Sequence, residues 1–536
     1  MRRLRVSILD LVSRGPSRAL WGRLMQPNFA SIMPQALAVW CEEAGHDVRF
    51  LCYTGGEDLQ RELPADTDIL FIASYTQGAQ LAYTLSELYR RQGVVTVLGG
   101  PHARCYPDDA ARYFDYVLGF TDKPLVEELL RDCAPHAPGL QLGSSRQPAH
   151  LPGVRQRWKF IAPTLAKTPV IKLVPMLSSL GCPYTCSFCI DATVDYKPLD
   201  TLQIQEDLRF LLGQMERPRV GWHDPNFGVR FDEIMSAIEE AVPAGRRIDF
   251  AAESSLALLS EAHLRRLKAN GFVAMLPGVE SWYSLGGKAK TGGAAGLEKV
   301  RLVADHLNTV LRHIPYVQAN FVLGLDEDEG PEPFELTKRF VDLAPGVFPA
   351  YSLFSAFGQA APLNLELQRA GRVLPTPFHF LDNNRSINVR PKHYTWSDFY
   401  DGVIGLRRHS FSWRAVGRRF QANQGSIPRW MNAVRALSSE GAGRIRYDST
   451  VRGLLDTDAP LRRYFEGESR ELPAFYAEQV RRDLGGWWRH LPAGALHHDQ
   501  NAYLGTRQPV PPSAPLAVRS GPASLGWTPR PAGAAD

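Results

Sequence analysis

The residues best suited to chemistry are three closely spaced cysteines in the run Ser179-Leu180-Gly181-Cys182-Pro183-Tyr184-Thr185-Cys186-Ser187-Phe188-Cys189. Their C-x₃-C-x₂-C spacing lets one short loop wrap a metal centre, because soft thiolates suit iron and zinc and a cluster needs ligands converging from short range. Two plainer readings are buried structural cysteines and three ligands of a zinc ion. Structural zinc usually closes with four ligands, and no cysteine follows Cys189 in this 536-residue chain. An iron–sulfur cluster held by three thiolates keeps one iron open to a small molecule.

Other signals are weaker. Ser284–Gly293 is rich in glycine and lysine but lacks the Ser or Thr a P-loop needs after Gly287-Lys288, so it reads as an ordinary loop. His497-His498 lacks a third ligand at metal-site spacing and reads as a solvated pair. All seven cysteines lie at or before position 189, an odd number that does not describe a secreted disulfide framework, so a reducing cytoplasm is expected. With 61 basic and 56 acidic residues the net charge is only +5, and no polybasic block points to nucleic acid. No apolar stretch is long enough for a membrane span.

The elements that must position these cysteines form two alternating series. Apolar runs at 4–9, 48–53, 69–74, 94–98 and 116–118, with helices at 31–44 and 79–92, predict an α/β doubly wound domain over 1–133. Ligands of such sheets sit beyond the carboxyl ends of strands, which singles out Ser74-Tyr75-Thr76 and Gly99-Gly100-Pro101-His102. Residues 134–168, rich in Pro, Gly, Ser and Gln, read as a linker. Strands at 170–177, 220–223, 248–252, 273–278, 316–323 and 347–353, with helices at 200–215, 261–270 and 294–311, predict six βα units, an open or partial barrel over 169–375. The cysteine run follows the first of these strands. Residues 376–505 read as Arg- and aromatic-rich helices, including 397–408 and 475–484, with Trp396, Trp413 and Trp430 as core or as cover for the barrel mouth. The proline-rich stretch 506–536 reads as disordered.

The nine residues Gly181–Cys189, with an aromatic Phe188 before the third cysteine, resemble the signature of the radical S-adenosylmethionine superfamily. Trp222-His223-Asp224-Pro225-Asn226-Phe227, Ala252-Glu253, Gly278-Val279-Glu280-Ser281 and Asn320-Phe321-Val322-Leu323-Gly324-Leu325 resemble that family's strand-end segments in order. The resemblance implies a [4Fe–4S] cluster on Cys182, Cys186 and Cys189, and S-adenosylmethionine near Phe188, Asp224, Glu253, Gly278, Glu280 and Asn320. Taken alone, Glu253 and Glu280 could cap helices, and Asp224 before Pro225 is a common turn element.

The N-terminal segments Asp68–Thr76 and Val97–Ala103 resemble the cobalamin-binding domain that precedes this barrel in one branch of the superfamily. That implies cobalamin near Ser74, Thr76, Gly99 and Gly100. The D-x-H-x-x-G loop that supplies a cobalt-ligating histidine in mutases is missing, so any cobalamin would bind without it. Together these resemblances imply a methyltransferase acting on an unactivated carbon of a small biosynthetic intermediate, served by an external electron donor such as flavodoxin or ferredoxin. Methylation through a catalytic cysteine, and auxiliary clusters further along, would need thiols that are missing after Cys189. The alternatives are radical cyclisation, rearrangement or oxidation, and a non-catalytic iron–sulfur or zinc protein.

Overall fold

The run Arg5–Leu11 is buried at every residue but its first, as a strand covered on both faces must be, and it forms β1 inside a six-stranded sheet. The computed structural model describes residues 2–17, 20–131, 133, 140–142, 147–382 and 384–499. The first sheet has the order β2-β1-β3-β4-β5-β6, from β2 (Asp47–Tyr53), β3 (Ile69–Ser74), β4 (Val95–Gly99), β5 (Tyr116–Leu118) and β6 (Leu140–Leu142). Every pairing in it is parallel. Helix Ile32–Glu43 starts after Ser31, whose side chain makes no cap bond; its N–H instead donates to the Asp10 carboxylate at 2.6 Å.

The second sheet is also parallel and contains β7 (Val174–Met176), β10 (Arg219–Trp222), β11 (Asp249–Ala252), β12 (Phe272–Met275), β13 (Gly278–Glu280), β14 (Tyr316–Leu323) and β15 (Phe348–Leu353). Between β7 and β10 a small antiparallel pair, β8 (Ser179–Leu180) with β9 (Lys197–Pro198), closes the base of the cysteine loop. The expected fourth strand is split into β12 and β13, both pairing β14. The helices Thr201–Gln214, Glu261–Ala269 and Gly296–His313 match the expected ones within two residues.

The stretch 134–168, expected to be a linker, is structured where it is described. It contributes β6 and helix Val154–Ala166, obscured in sequence by the internal Pro163. Buried Arg157 donates to Gln35 at 2.7 Å, and Val154 N–H donates to Asp207 at 2.8 Å, so this connection joins a helix of the first sheet to one of the second. The expected tail 506–536 lies outside the described residues.

Six helices follow: Trp396–Ser410, Trp413–Ala422, Ser426–Leu437, Ala442–Thr457, Ala459–Phe465 and Ala474–Leu484. Trp396 is core, donating to the Phe465 carbonyl at 2.9 Å, whereas Trp413 and Trp430 face solvent. Neither tryptophan covers the cysteine loop: Arg419 and Asn423 tie these helices to Val347 and Gly346, at the amino end of β15. His498 is buried against Phe378, ring centroids 3.9 Å apart, so only the His497 half of the expected solvated pair survives. Cys41, Cys52 and Cys105 pack as small buried groups and Cys133 is half-buried. Among the described residues no helix is long and apolar enough to cross a membrane.

One close approach fixes how the later segments meet the first sheet. Gly358 has φ +50°, and a Cβ there would overlap the carbonyl oxygen of Cys105. Gly358→Ala is therefore expected to cost about 2–4 kcal/mol in strain and overlap, read as a fall in the unfolding midpoint; an unchanged midpoint would refute that approach.

Candidate active site

Several ties shape the loop of three cysteines. At its start Gly181 has φ +67°, and any Cβ there would also overlap the Asp195 carbonyl, so only glycine fits. Inside it, Cys189 N–H donates to the Cys186 carbonyl at 2.9 Å and Asp191 N–H points at Cys189 Sγ at 3.4 Å. Burial raises all three thiols, Cys189 to about 12, so in this setting a metal must displace the protons for the sulfurs to become ligands. Among the described residues no three His, Cys, Asp or Glu side chains converge on a point fit for a single ion. Three soft thiol groups on one short loop are a donor set of the kind that iron–sulfur clusters use. The donor set fits a cluster with one open iron.

Asp224 is buried and accepts from Ser178 N–H, Ser178 Oγ and Ser179 Oγ at 2.5–3.1 Å. It holds the start of the cysteine loop, and its oxygens are engaged there. Tyr184 Oη meets Ser255 Oγ at 3.1 Å, and Leu363 N–H donates to the Ser187 carbonyl at 2.9 Å. Arg104, from the short helix Pro101–Cys105 after β4, donates to Asp191 at 3.0 Å and to the Ile190 carbonyl at 2.7 Å while lying over the Phe120 ring at 4.4 Å. An arginine of the first sheet thus clamps the residues just after Cys189.

Between the carboxyl edges of the two sheets lies a cavity of about 330 Å³, walled by Ser74, Tyr75, Gly99 and Gly100 on one side and by Gly181, Asp191 and His223 on the other. It adjoins a recess of about 900 Å³ that shares Phe120, Gln147, Pro148 and Val194 with it. Together they suit a ligand with a bulky ring and a long tail. A Cβ on Gly99 would meet nothing within 4 Å, leaving room for such a ligand, whereas one on Gly100 (φ +87°) would lie 2.9 Å from the Ser74 backbone. Gly100 therefore serves the packing of β4 against β3. Thr76 is buried with its hydroxyl toward the Cys105 thiol and is not part of the cavity wall.

A charged group stands beside the cysteines. Lys288 donates to Glu280 at 2.7 Å, and Gly278 makes room for this pair, since a Cβ there would overlap Glu280 Oε1. Lys288 also feels Cys186 and Cys182. Glu253 is open on one side but desolvated, which raises its carboxyl, and nearby Glu280 raises it further. Among the described residues the non-glycine positions with left-handed backbone are Glu280, Leu285 and Lys290, all in this segment, the kind of local strain that collects at working sites. Asn320 donates to the Leu276 carbonyl at 3.2 Å and accepts from Gln318, so it braces the strand break before Gly278. Phe188 is half-buried against the core.

Sequence reasoning singled out the segment with Tyr75 without assigning that residue a role, and gave none to Arg104, His223 or Lys288. Tyr75 is 42% exposed inside the cavity, and desolvation pushes its phenol up to about 12. His223 is lowered to about 4 by desolvation and stays neutral. Both stood within quoted strand-end segments. Lys288 was set aside with its loop because its partner Glu280 lies across a turn that spacing does not reveal.

The fold is similar to that of the cobalamin-dependent S-adenosylmethionine radical enzyme OxsB with aqua-cobalamin bound, which matches with a TM-score of 0.52 at 11% identity, covering 91% of this chain and 84% of that one. In sequence, the chain is similar to the bacteriochlorophyllide d C-12(1)-methyltransferase of Chlorobaculum tepidum, 24% identical over 397 residues, 70% of this chain and 81% of the relative. It is also similar to the bacteriochlorophyllide d C-8(2)-methyltransferase of the same organism, 26% identical over 186 residues, 32% of this chain and 41% of that relative. No protein-family model matches the chain. The family resemblance read in the sequence is borne out in the fold.

Two outcomes follow from this geometry. Arg104→Ala should speed amide exchange in residues 186–191 by roughly tenfold and Asp191→Asn by less, because the Ile190 carbonyl bond survives the second change, and the double variant should add little to Arg104→Ala. Mass-spectrometric exchange reads this, and unchanged rates would sever Arg104 from the loop. The second concerns Asp10, which burial pushes up to about 6 from 3.8. A carboxyl raised by folding stabilises the fold most when protonated, and that contribution is lost as pH rises through about 6. Relative to wild type, Asp10→Asn should therefore gain stability between pH 4 and 7, by up to about 3 kcal/mol in denaturant unfolding.

Proposed function

We propose that this chain is a cobalamin-dependent radical S-adenosylmethionine methyltransferase acting on an unactivated carbon of a small biosynthetic intermediate. The observation that carries the reading is one cavity walled by the carboxyl edges of both sheets and by Gly181 and Asp191, which flank the loop of Cys182, Cys186 and Cys189. In this reading residues 1–133 form the cobalamin-binding domain, 169–375 a partial (β/α)₆ barrel and 376–505 a helical region. The relatives' named substrate, bacteriochlorophyllide d, supports a small-molecule substrate here. A reducing cytoplasm suits seven free cysteines, and an external flavodoxin or ferredoxin would supply electrons.

The three thiolates would hold a [4Fe–4S] cluster, and Ser74, Tyr75, Gly99 and Gly100 would face cobalamin. Phe188, Glu253, Gly278, Glu280 and Lys288 would surround S-adenosylmethionine. Thr76, Asp224 and Asn320 are left out, their polar groups being engaged within the protein. When bound, these groups supply a 5′-deoxyadenosyl radical and a cobalt centre able to carry a methyl group.

The chain's own residues do the positioning. The Lys288 ammonium, held by Glu280, has protons left for a carboxylate. Glu253 beside it can accept from an ammonium. At neutral pH Tyr75 keeps its proton and donates a hydrogen bond without charge, and neutral His223 can donate or accept toward substrate. Arg104 keeps the cysteine loop in register with the first sheet, and the largely apolar wall excludes water from the reacting atoms.

The test is anaerobic. After reconstitution, iron and cobalt are measured, then reductant, S-adenosylmethionine and bacteriochlorophyllide d as trial methyl acceptor are added and nucleosides quantified. Equal release of 5′-deoxyadenosine and S-adenosylhomocysteine is expected; deoxyadenosine alone would favour cyclisation, rearrangement or oxidation. Cys182→Ala, Cys186→Ala and Cys189→Ala should each lose the iron, and retention of both iron and turnover would end the cluster assignment. Lys288→Met should weaken S-adenosylmethionine binding about 10–100-fold, the range for a charge-assisted hydrogen bond, with iron content unchanged.

A further inference from the structure

The helices Trp413–Ala422 and Ser426–Leu437 form a hairpin whose two faces have separate duties. The inner face is anchored: Arg419 donates to the Val347 and Ser410 carbonyls, Asn423 to Gly346, and Arg435 to Tyr316 while lying over Phe348 at 4.0 Å. The outer face is apolar and open. Ile427, Trp430 and Leu437 are 50%, 62% and 47% exposed, and their spacing puts them within about 80° of arc on one helix. On the other helix Trp413 is 78% exposed, with Phe420 seven residues on along the same face. Phe420 and Trp430 meet edge to face at 5.6 Å, so the two stripes form one patch.

Charge says what covers it. Residues 402–439 contain seven arginines and no aspartate or glutamate, in a chain whose whole net charge is +5. Arg407, Arg419 and Arg435 turn inward and Arg418 pairs with Asp342, but Arg408 and Arg414 stand exposed and Arg429 lies over Phe420 at 5.5 Å. Tryptophan beside arginine, above a stripe of aliphatic side chains, is the chemistry that lies in the plane of an anionic bilayer surface: the rings sit at headgroup depth and guanidinium groups meet phosphates. A second copy fits poorly, because a two-fold contact would set this cationic patch against itself with no acid in the segment to pair it.

We propose that this hairpin docks the enzyme on an anionic lipid surface, away from the cavity of the cofactor loop. The inference does not depend on the methyltransferase reading, since it uses a different face of the molecule.

The full chain should be sedimented with vesicles of phosphatidylcholine alone and of phosphatidylcholine with about a third phosphatidylglycerol. Binding to the anionic vesicles only, weakening as salt rises, is expected. Trp413→Ser with Trp430→Ser, and separately Arg408→Glu with Arg414→Glu, should each cut binding at least about tenfold at an unchanged unfolding midpoint, because exposed residues carry little stability. No pelleting with anionic vesicles, or equal pelleting by the variants, would overturn the proposal. A dimer in solution dissolved by the tryptophan pair, or a single-stranded oligonucleotide that displaces the vesicles, would overturn it in favour of a protein or nucleic-acid partner.

Discussion

Parallel pairing is the constraint on which the rest of this molecule depends. In both large sheets every described pairing is parallel, so each strand must be followed by a crossover and all carboxyl ends open on one edge. Two such edges facing each other make a cavity without any further device. Residues 75, 99 and 100 reach it from the first sheet, and 181, 191 and 223 from the second, because each follows a strand or stands in the loop after one.

Within that frame a few polar contacts decide how firmly the cysteine loop is held. Arg104 crosses from one sheet to the residues beside Cys189, and Asp224 gathers the serines before Cys182. Backbone hydrogen bonds and a left-handed glycine shape the loop between them. Three soft sulfur donors can then be presented at once although burial disfavours their ionisation. On the far side of the loop the Glu280–Lys288 pair sets a positive group close to the thiols, at the cost of three non-glycine residues in left-handed backbone nearby.

Much of the fold was legible because both sheets announce themselves by apolar runs between helical periods. Strands 69–74 and 116–118 were read to the residue, since burial of a parallel strand on both faces leaves a nearly continuous apolar segment, and 316–323 was read to the residue despite Gln318 and Asn320. Helix Val154–Ala166 was not legible: an internal proline and polar flanks obscure its period, and its buried Arg157 is satisfied only by groups distant in sequence. His498 was misread for a similar reason, since nothing local shows that Phe378 will cover its ring.

By itself the sequence determined the identity and spacing of the three cysteines, the succession of the strands along the chain and the segments at their carboxyl ends, because these rest on local patterns of type and periodicity. Only the tertiary structure decided which strand-end residues face the cavity and which are engaged in holding it. Asp224, Thr76 and Asn320 turned inward to protein partners, while Tyr75, Arg104 and His223 line the cavity and Lys288 pairs with Glu280. A polar side chain's role depends on which donor or acceptor reaches it first. Those partners, tens of residues away in most cases, are brought within hydrogen-bond distance only by packing.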